Sequence, residues 1–471
     1  MTRLVPPRLS TPTSSEHVSP RRGAGSKGPR QSRGRKLIIG IALVGVAALV
    51  ATVVSTAYHH RPNSGSQPSG DVTLREVDGG PNYYARFNPT LPTDNDFFPV
   101  GVWFESVTGP EDVRRDADAG VNVYVELTSN SDLQLIEAAD MFAVHGHVDD
   151  AGDETVGWLL ADEADMWAGP GSGQWTGNYP GEGDVCVPEG SPCGFTVQET
   201  LLAGLPEDQR LRYANYGKGV LFWQSRGEAT RFFNEYQDVV SADAYWFTDE
   251  NICGPTEGGG LFAAGRRLSQ DACHLAANYG MTVDHARSLV DPPGSKPVWA
   301  FVELGHPFSE DHWPTITPAQ IRSAVWSSLI HGARGIVYFN HSFGGECVSQ
   351  HVLRDPCYSA TRRAVTALNR QVTELAPVLN APVVEGITQI DGPVDATTKY
   401  LDGQLYLLAG ANTATGGTAR FSLQCVQDGN VTVIDESRKL RMTGGRFEDD
   451  FADGEAVHLY EIDAAPSCDL G

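Results

Sequence analysis

Eight short apolar runs, spaced between helical patterns over about 250 residues, constrain this chain more than any other feature. They are Phe98–Phe104, Val121–Leu127, Met141–His145, Val156–Asp162, Leu211–Asn215, Val239–Trp246, Pro297–Glu303 and Gly335–Asn340. Runs of this length, apolar on both faces and rich in Val and aromatics, suit strands of a parallel sheet covered by helices. Between several of them the period changes to that of helices: Gly109–Ala119, Ser131–Ala139 and Thr317–His331. Thr317 is a good helix N-cap and Pro318 a good first helical residue. Eight strands alternating with helices predict a (β/α)8 barrel, an α/β fold. Ala360–Leu379 reads as the amphipathic helix that closes it.

The texture changes at Ala381. Alternating runs such as TKYLDGQLYLLAGA and AVHLYEID, split by Gly and Asp turns, predict a C-terminal antiparallel β-sandwich domain over 381–471. The barrel domain is then 72–380. Upstream, residues 1–36 are rich in Pro, Ser, Gly and Arg and predict a disordered basic tail. Leu37–Tyr58 is 22 residues without a charge, long enough to span a bilayer, and 59–71 reads as a linker. Nine Lys or Arg against one Glu in the first 36 residues put that end in the cytoplasm and the remainder outside the cell membrane. A cleaved signal peptide is the rival reading; the long apolar run and extended basic region favour an uncleaved single-pass anchor.

The net charge is −24 for the whole chain and +8 for the tail, leaving −32 on the rest. So acidic a body argues against nucleic acid as a partner and is neutral about sugars. All eight cysteines follow the apolar segment, in an oxidising compartment. Pairing of neighbours predicts 186–193, 253–273, 347–357 and 425–468. The spacings are not those of paired CxxC zinc knuckles, and no cofactor motif is apparent.

Chemistry in such barrels sits at the carboxyl ends of the strands. There the fourth run, VGWLLADEADMW, delivers Asp162 and Glu163, and the seventh, KPVWAFVELG, delivers Glu303. Two carboxyls facing each other across a cleft are what glycoside cleavage needs: one protonates the leaving oxygen while the other attacks or activates water. The ends of the other strands supply Trp103, Glu105, Glu126, Tyr245, Asn340 and His341, with Trp167 in the loop after strand four as a stacking aromatic.

This arrangement resembles the large retaining clan of (β/α)8 glycoside hydrolases, of which the chain looks like a distant member. The resemblance implies that Glu163 is the acid/base and Glu303 the nucleophile. It also implies that Tyr245 hydrogen-bonds the nucleophile. Many members carry Asn before the acid/base, where it binds the sugar 2-hydroxyl; this chain has Asp162. The implied activity is cleavage of a cell-envelope or environmental polysaccharide by double displacement. Two alternatives stand beside it. A barrel of this type that has lost catalysis would bind carbohydrate at the cell surface. His145 and His147, an HxH at the end of strand three, would suit a metal-dependent hydrolase, but strands five and six offer no further histidines.

Overall fold

The computed structural model describes residues 71–166, 194–463, 466, 467 and 470. Leu37–Tyr58, Trp167, the 186–193 pair and Cys468 lie outside these residues. Among the described residues no helix is long and apolar enough to cross a membrane.

The eight expected strands form a closed parallel barrel. In order they are Val100–Glu105, Val123–Leu127, Phe142–His145, Thr155–Asp162, Leu211–Tyr216, Val239–Ala242, Val298–Glu303 and Ile336–Phe339. Closure is made by pairing the first with the last, Val100 opposite Ile336. The two-residue side-chain period splits the core. Val298, Ala300 and Val302 face the helix layer, whereas Trp299 and Phe301 join Val123, Val125, Tyr213 and Val337 inside the barrel. Tyr83, Tyr84 and Leu91 pack into the same inner cluster. The Trp299 indole donates to the Tyr84 hydroxyl at 3.0 Å, and the Tyr83 hydroxyl donates to the Asp238 carbonyl, just ahead of strand six. That end of the barrel is therefore plugged.

Strand six is shorter than its apolar run suggests. It ends at Ala242, and Asp243–Trp246 turns away from the sheet. The helices after strands one and seven, Pro110–Asp118 and Pro318–Ile330, begin as read. Thr317 accepts from the Gln320 amide at 3.2 Å, and the Gln320 side chain accepts from the Thr317 amide at 2.9 Å.

The C-terminal region forms two antiparallel sheets around one hydrophobic cluster. Three strands, Thr388–Asp391, Gly417–Leu423 and Arg446–Phe451, make the smaller sheet. The larger has seven strands, including Val394–Leu401, Gln404–Ala411 and Val457–Ile462. Its edge is Thr73–Arg75, which precedes the barrel in the chain and pairs with Val383–Glu385. Leu408, Val457 and Leu459 pack into the helix-layer core of the barrel. Cys253–Cys273 and Cys347–Cys357 are bonded as neighbours, and Cys425 is disulfide-bonded too.

Candidate active site

Strand four ends at Asp162, and Glu163 takes a left-handed backbone conformation with φ of 48°. Its amide donates to the Asn215 carbonyl at 2.9 Å. A non-glycine residue in this region is held there by its surroundings. A single 3₁₀ turn, Ala164–Met166, follows. Within it Asp165 is fully buried and accepts from the amides of Gly217 and Val220, at 3.0 and 2.9 Å. Asp165 thus fastens the end of strand five against strand four. A β-carbon at Gly217 would lie 2.7 Å from the Glu163 carboxyl, so any larger residue there would push that carboxyl aside.

Beneath Glu163 runs a column of polar groups through the inner face of the barrel. Tyr213 bonds to Ser241, and Ser241 donates to the Asn215 side-chain oxygen, Oδ1, at 2.6 Å. The Asn215 amide nitrogen lies 3.0 Å from Asp162 and 3.4 Å from Asp243. One amide thus bridges the carboxyls of strands four and six. Burial pushes Asp162 up to about 7, helped by the charges of Glu126 and Asp165. Burial and Asp162 push Asp243 up to about 7 as well. Glu163 is raised well above the usual carboxylate range, by burial first and then by Asp243, Asp162 and Asp165; Lys218 opposes this. A glutamic acid whose proton affinity is raised in this way is suited to general acid work.

Glu303 ends strand seven as expected and is completely buried. Its Oε1 accepts from the Tyr279 hydroxyl at 2.6 Å and from Thr248 at 3.2 Å; its Oε2 has no partner. Burial pushes it up to about 7 against the pull of Tyr279. The phenol on Glu303 is therefore that of Tyr279, from the helix Ala277–Leu289, and not that of Tyr245. Tyr245 bonds instead to Asp243, and its ring packs 5.4 Å from Phe339.

The remaining expected residues divide. Glu126 is pushed up to about 7 by burial and acts on Asp162. Trp103 is buried inside the barrel, edge-on to Phe301 at 5.4 Å. Glu105 is fully buried and accepts from Asn340 at 2.5 Å. Asn340 also accepts from the Leu353 amide at 2.9 Å, so both of these groups are engaged within the protein. His341 is buried between Phe339 and Phe343. At the end of strand three, His145 has one ring nitrogen 2.7 Å from the Gly146 carbonyl and the other 2.9 Å from Thr155. Both nitrogens are committed, so the HxH does not offer a metal two free ligands. The one compact cluster of metal-type side chains among the described residues, Cys253, Cys273 and His274, contains a closed disulfide.

No family model and no curated protein matches the chain. Its neighbours among solved structures are glycoside hydrolases. One described only as a glycoside hydrolase aligns at TM-score 0.47 and 10% identity, over 84% of this chain and 97% of its own. A family 5 glycoside hydrolase from Bacteroides vulgatus aligns at 0.45 and 10%, over 78% and 88%. A GH27 β-L-arabinopyranosidase from Geobacillus stearothermophilus, in complex with arabinose, aligns at 0.43 and 10%, over 82% and 99%. Scores below 0.5 carry nothing about chemistry; the barrel stands on its own strand pairing.

Proposed function

We propose that this chain is a glycoside hydrolase that cleaves a polysaccharide by retaining double displacement, with Glu163 as acid/base and Glu303 as nucleophile. The observation that carries the reading is Glu163 itself. It follows directly on strand four, and burial together with three neighbouring carboxyls raises its proton affinity well above that of an ordinary carboxylate. In the first step Glu163 gives its proton to the leaving oxygen while Glu303 bonds to the anomeric carbon. In the second, Glu163 takes a proton from water, which displaces Glu303. The Oε2 of Glu303 makes no hydrogen bond and is buried like the rest of the side chain, so the groups covering it must shift for that bond to form. Ionising Glu303 is costly in its buried setting, and the Tyr279 hydroxyl offsets part of that cost.

A second reading has its own support: Asp243 in place of Glu303. Asp243 is the charge that acts most on Glu163. Glu163→Gln, Glu303→Gln and Asp243→Asn, assayed separately on a panel of wall polysaccharides with product analysis, separate the two. Loss of turnover in Glu303→Gln with activity retained in Asp243→Asn supports the first reading, and the reverse the second. Retention itself calls for reacting carboxyls about 5–5.5 Å apart and a product of unchanged anomeric configuration. Placement of the enzyme outside the cell, held by Leu37–Tyr58, is part of the proposal and is tested by fractionating cells and by protease accessibility.

A further inference from the structure

The loop after strand eight carries groups that hydrolysis does not use. Phe343 and Phe104, the latter beside Trp103 at the end of strand one, are 44% and 43% exposed, unusual for rings of their size. Both are set against the buried ring of His341. Phe343 lies parallel to it, 8° off at 6.0 Å, and Phe104 meets it at 6.0 Å and 63°. The His341 ring lies against the backbone of Gln350 and Trp103. Phe339 continues the row, 5.1 Å from His341 and 5.4 Å from Tyr245. The exposed rings are thereby linked by direct packing to the residue that bonds Asp243.

Beside this row, His351 has one ring nitrogen held by the buried Glu105. Among the described residues its Nε2 has no hydrogen-bond partner, and its side chain is 37% exposed. The loop that presents it is fixed in several ways. Cys347–Cys357 closes it. Ser342 and Ser349 pair through both amides at 2.8 and 2.9 Å. The Val352 amide donates to the Asn340 carbonyl at 3.0 Å. A ring nitrogen and one ring face on a braced loop, beside Phe104 held at the end of strand one, lose little freedom on binding.

We propose that this sector is a separate sugar subsite, in which Phe104 and Phe343 take the apolar face of one pyranose ring and His351 Nε2 contacts one of its hydroxyls. The ligand class follows from charge. His351 and Arg354 are matched by Glu105, Asp116 and Asp112, so the sector holds no excess positive charge to attract an anion. A purely apolar ligand has no use for a fixed polar nitrogen. A neutral sugar offers a C–H face and a hydroxyl edge together. The subsite rests on the glycosidase reading for its place along the substrate chain.

The test uses full-length protein carrying Glu163→Gln, probed on an array of neutral plant, fungal and bacterial wall oligosaccharides of two to eight sugars. Adding Phe343→Ala or Phe104→Ala, both at exposed positions, is expected to weaken binding of chains of four or more sugars by about tenfold or more. Unchanged binding in both, or no glycan bound by the Glu163→Gln protein, overturns the subsite. Turnover by the unmodified protein on the same glycans reads the other reading separately. A glycan bound but not cleaved sinks hydrolysis and keeps the subsite, whereas cleavage with unaltered binding in the Phe variants sinks the subsite alone.

Discussion

Tyr279→Phe isolates a single hydrogen bond on the proposed nucleophile. The hydroxyl donates to Glu303 at 2.6 Å inside a fully buried pocket, and Glu303 titrates at about 7 with that bond in place. A hydrogen bond to a charged group is worth about 1.5–3 kcal/mol. The bond favours the ionised form, so its loss raises the pKa, by about 1–2 units at 1.36 kcal/mol per unit. Glu303 would then titrate between about 8 and 9, and its ionised fraction at pH 7 would fall from about one half to a few per cent. The acidic limb of kcat/KM against pH should move alkaline by the same amount, with about a tenfold loss of rate at pH 7 and a partial recovery at pH 9. Phenylalanine fills the same space, although the Phe247 amide, 3.2 Å from the hydroxyl, loses an acceptor. A melting curve controls for that. Tyr245→Phe touches Asp243 instead and should leave this limb in place. A limb that stays put in Tyr279→Phe, or moves to acid, refutes the role of Glu303.

Other consequences follow from the same buried charges. Glu126, Asp162, Asp165, Asp243 and Glu303 all titrate at about 7 when folded, above their unfolded values near 4. The native state therefore binds more protons than the unfolded one between about pH 4 and 7, and stability falls as pH rises through that window. The melting temperature should be higher at pH 5 than at pH 8; a flat or rising profile contradicts this. Asp243→Asn removes one carboxylate from this crowd and should stabilise the protein more at pH 8 than at pH 5, by about 1 kcal/mol or more, as read by urea titration at both values. Arg354 pairs with Asp116 at 2.5 Å, both buried, so Arg354→Met should cost about 3–5 kcal/mol in the same titration. A loss below 1 kcal/mol would mean that the pair is solvated.

The barrel was legible because its signal is repeated eight times. Each apolar run is short, but their number and spacing admit few other architectures, and each becomes a strand at nearly the stated position. The glutamates ending strands four and seven were legible for the same reason: a charge closing an apolar run marks a strand end. Tyr279 was not. It comes from a helix of weak amphipathicity within the long connection between strands six and seven, and no period or motif brings it to Glu303. Tyr245 had the residue type and strand expected for that bond, but the chain leaves the sheet at Asp243 and aims its hydroxyl at that carboxyl. Thr73–Arg75 is too short to read as a strand, and its partner lies over 300 residues away. The bridge by Asn215 depends on three strands meeting at one level, which no single run encodes.

The most direct test of the central claim is kcat for Glu163→Gln and Glu303→Gln, each measured beside the unmodified protein on a polysaccharide that it cleaves. The account predicts a loss of about 10²–10⁴ from removing the acid and at least as much from removing the nucleophile, with folding intact in both. Full turnover in Glu163→Gln would contradict it outright.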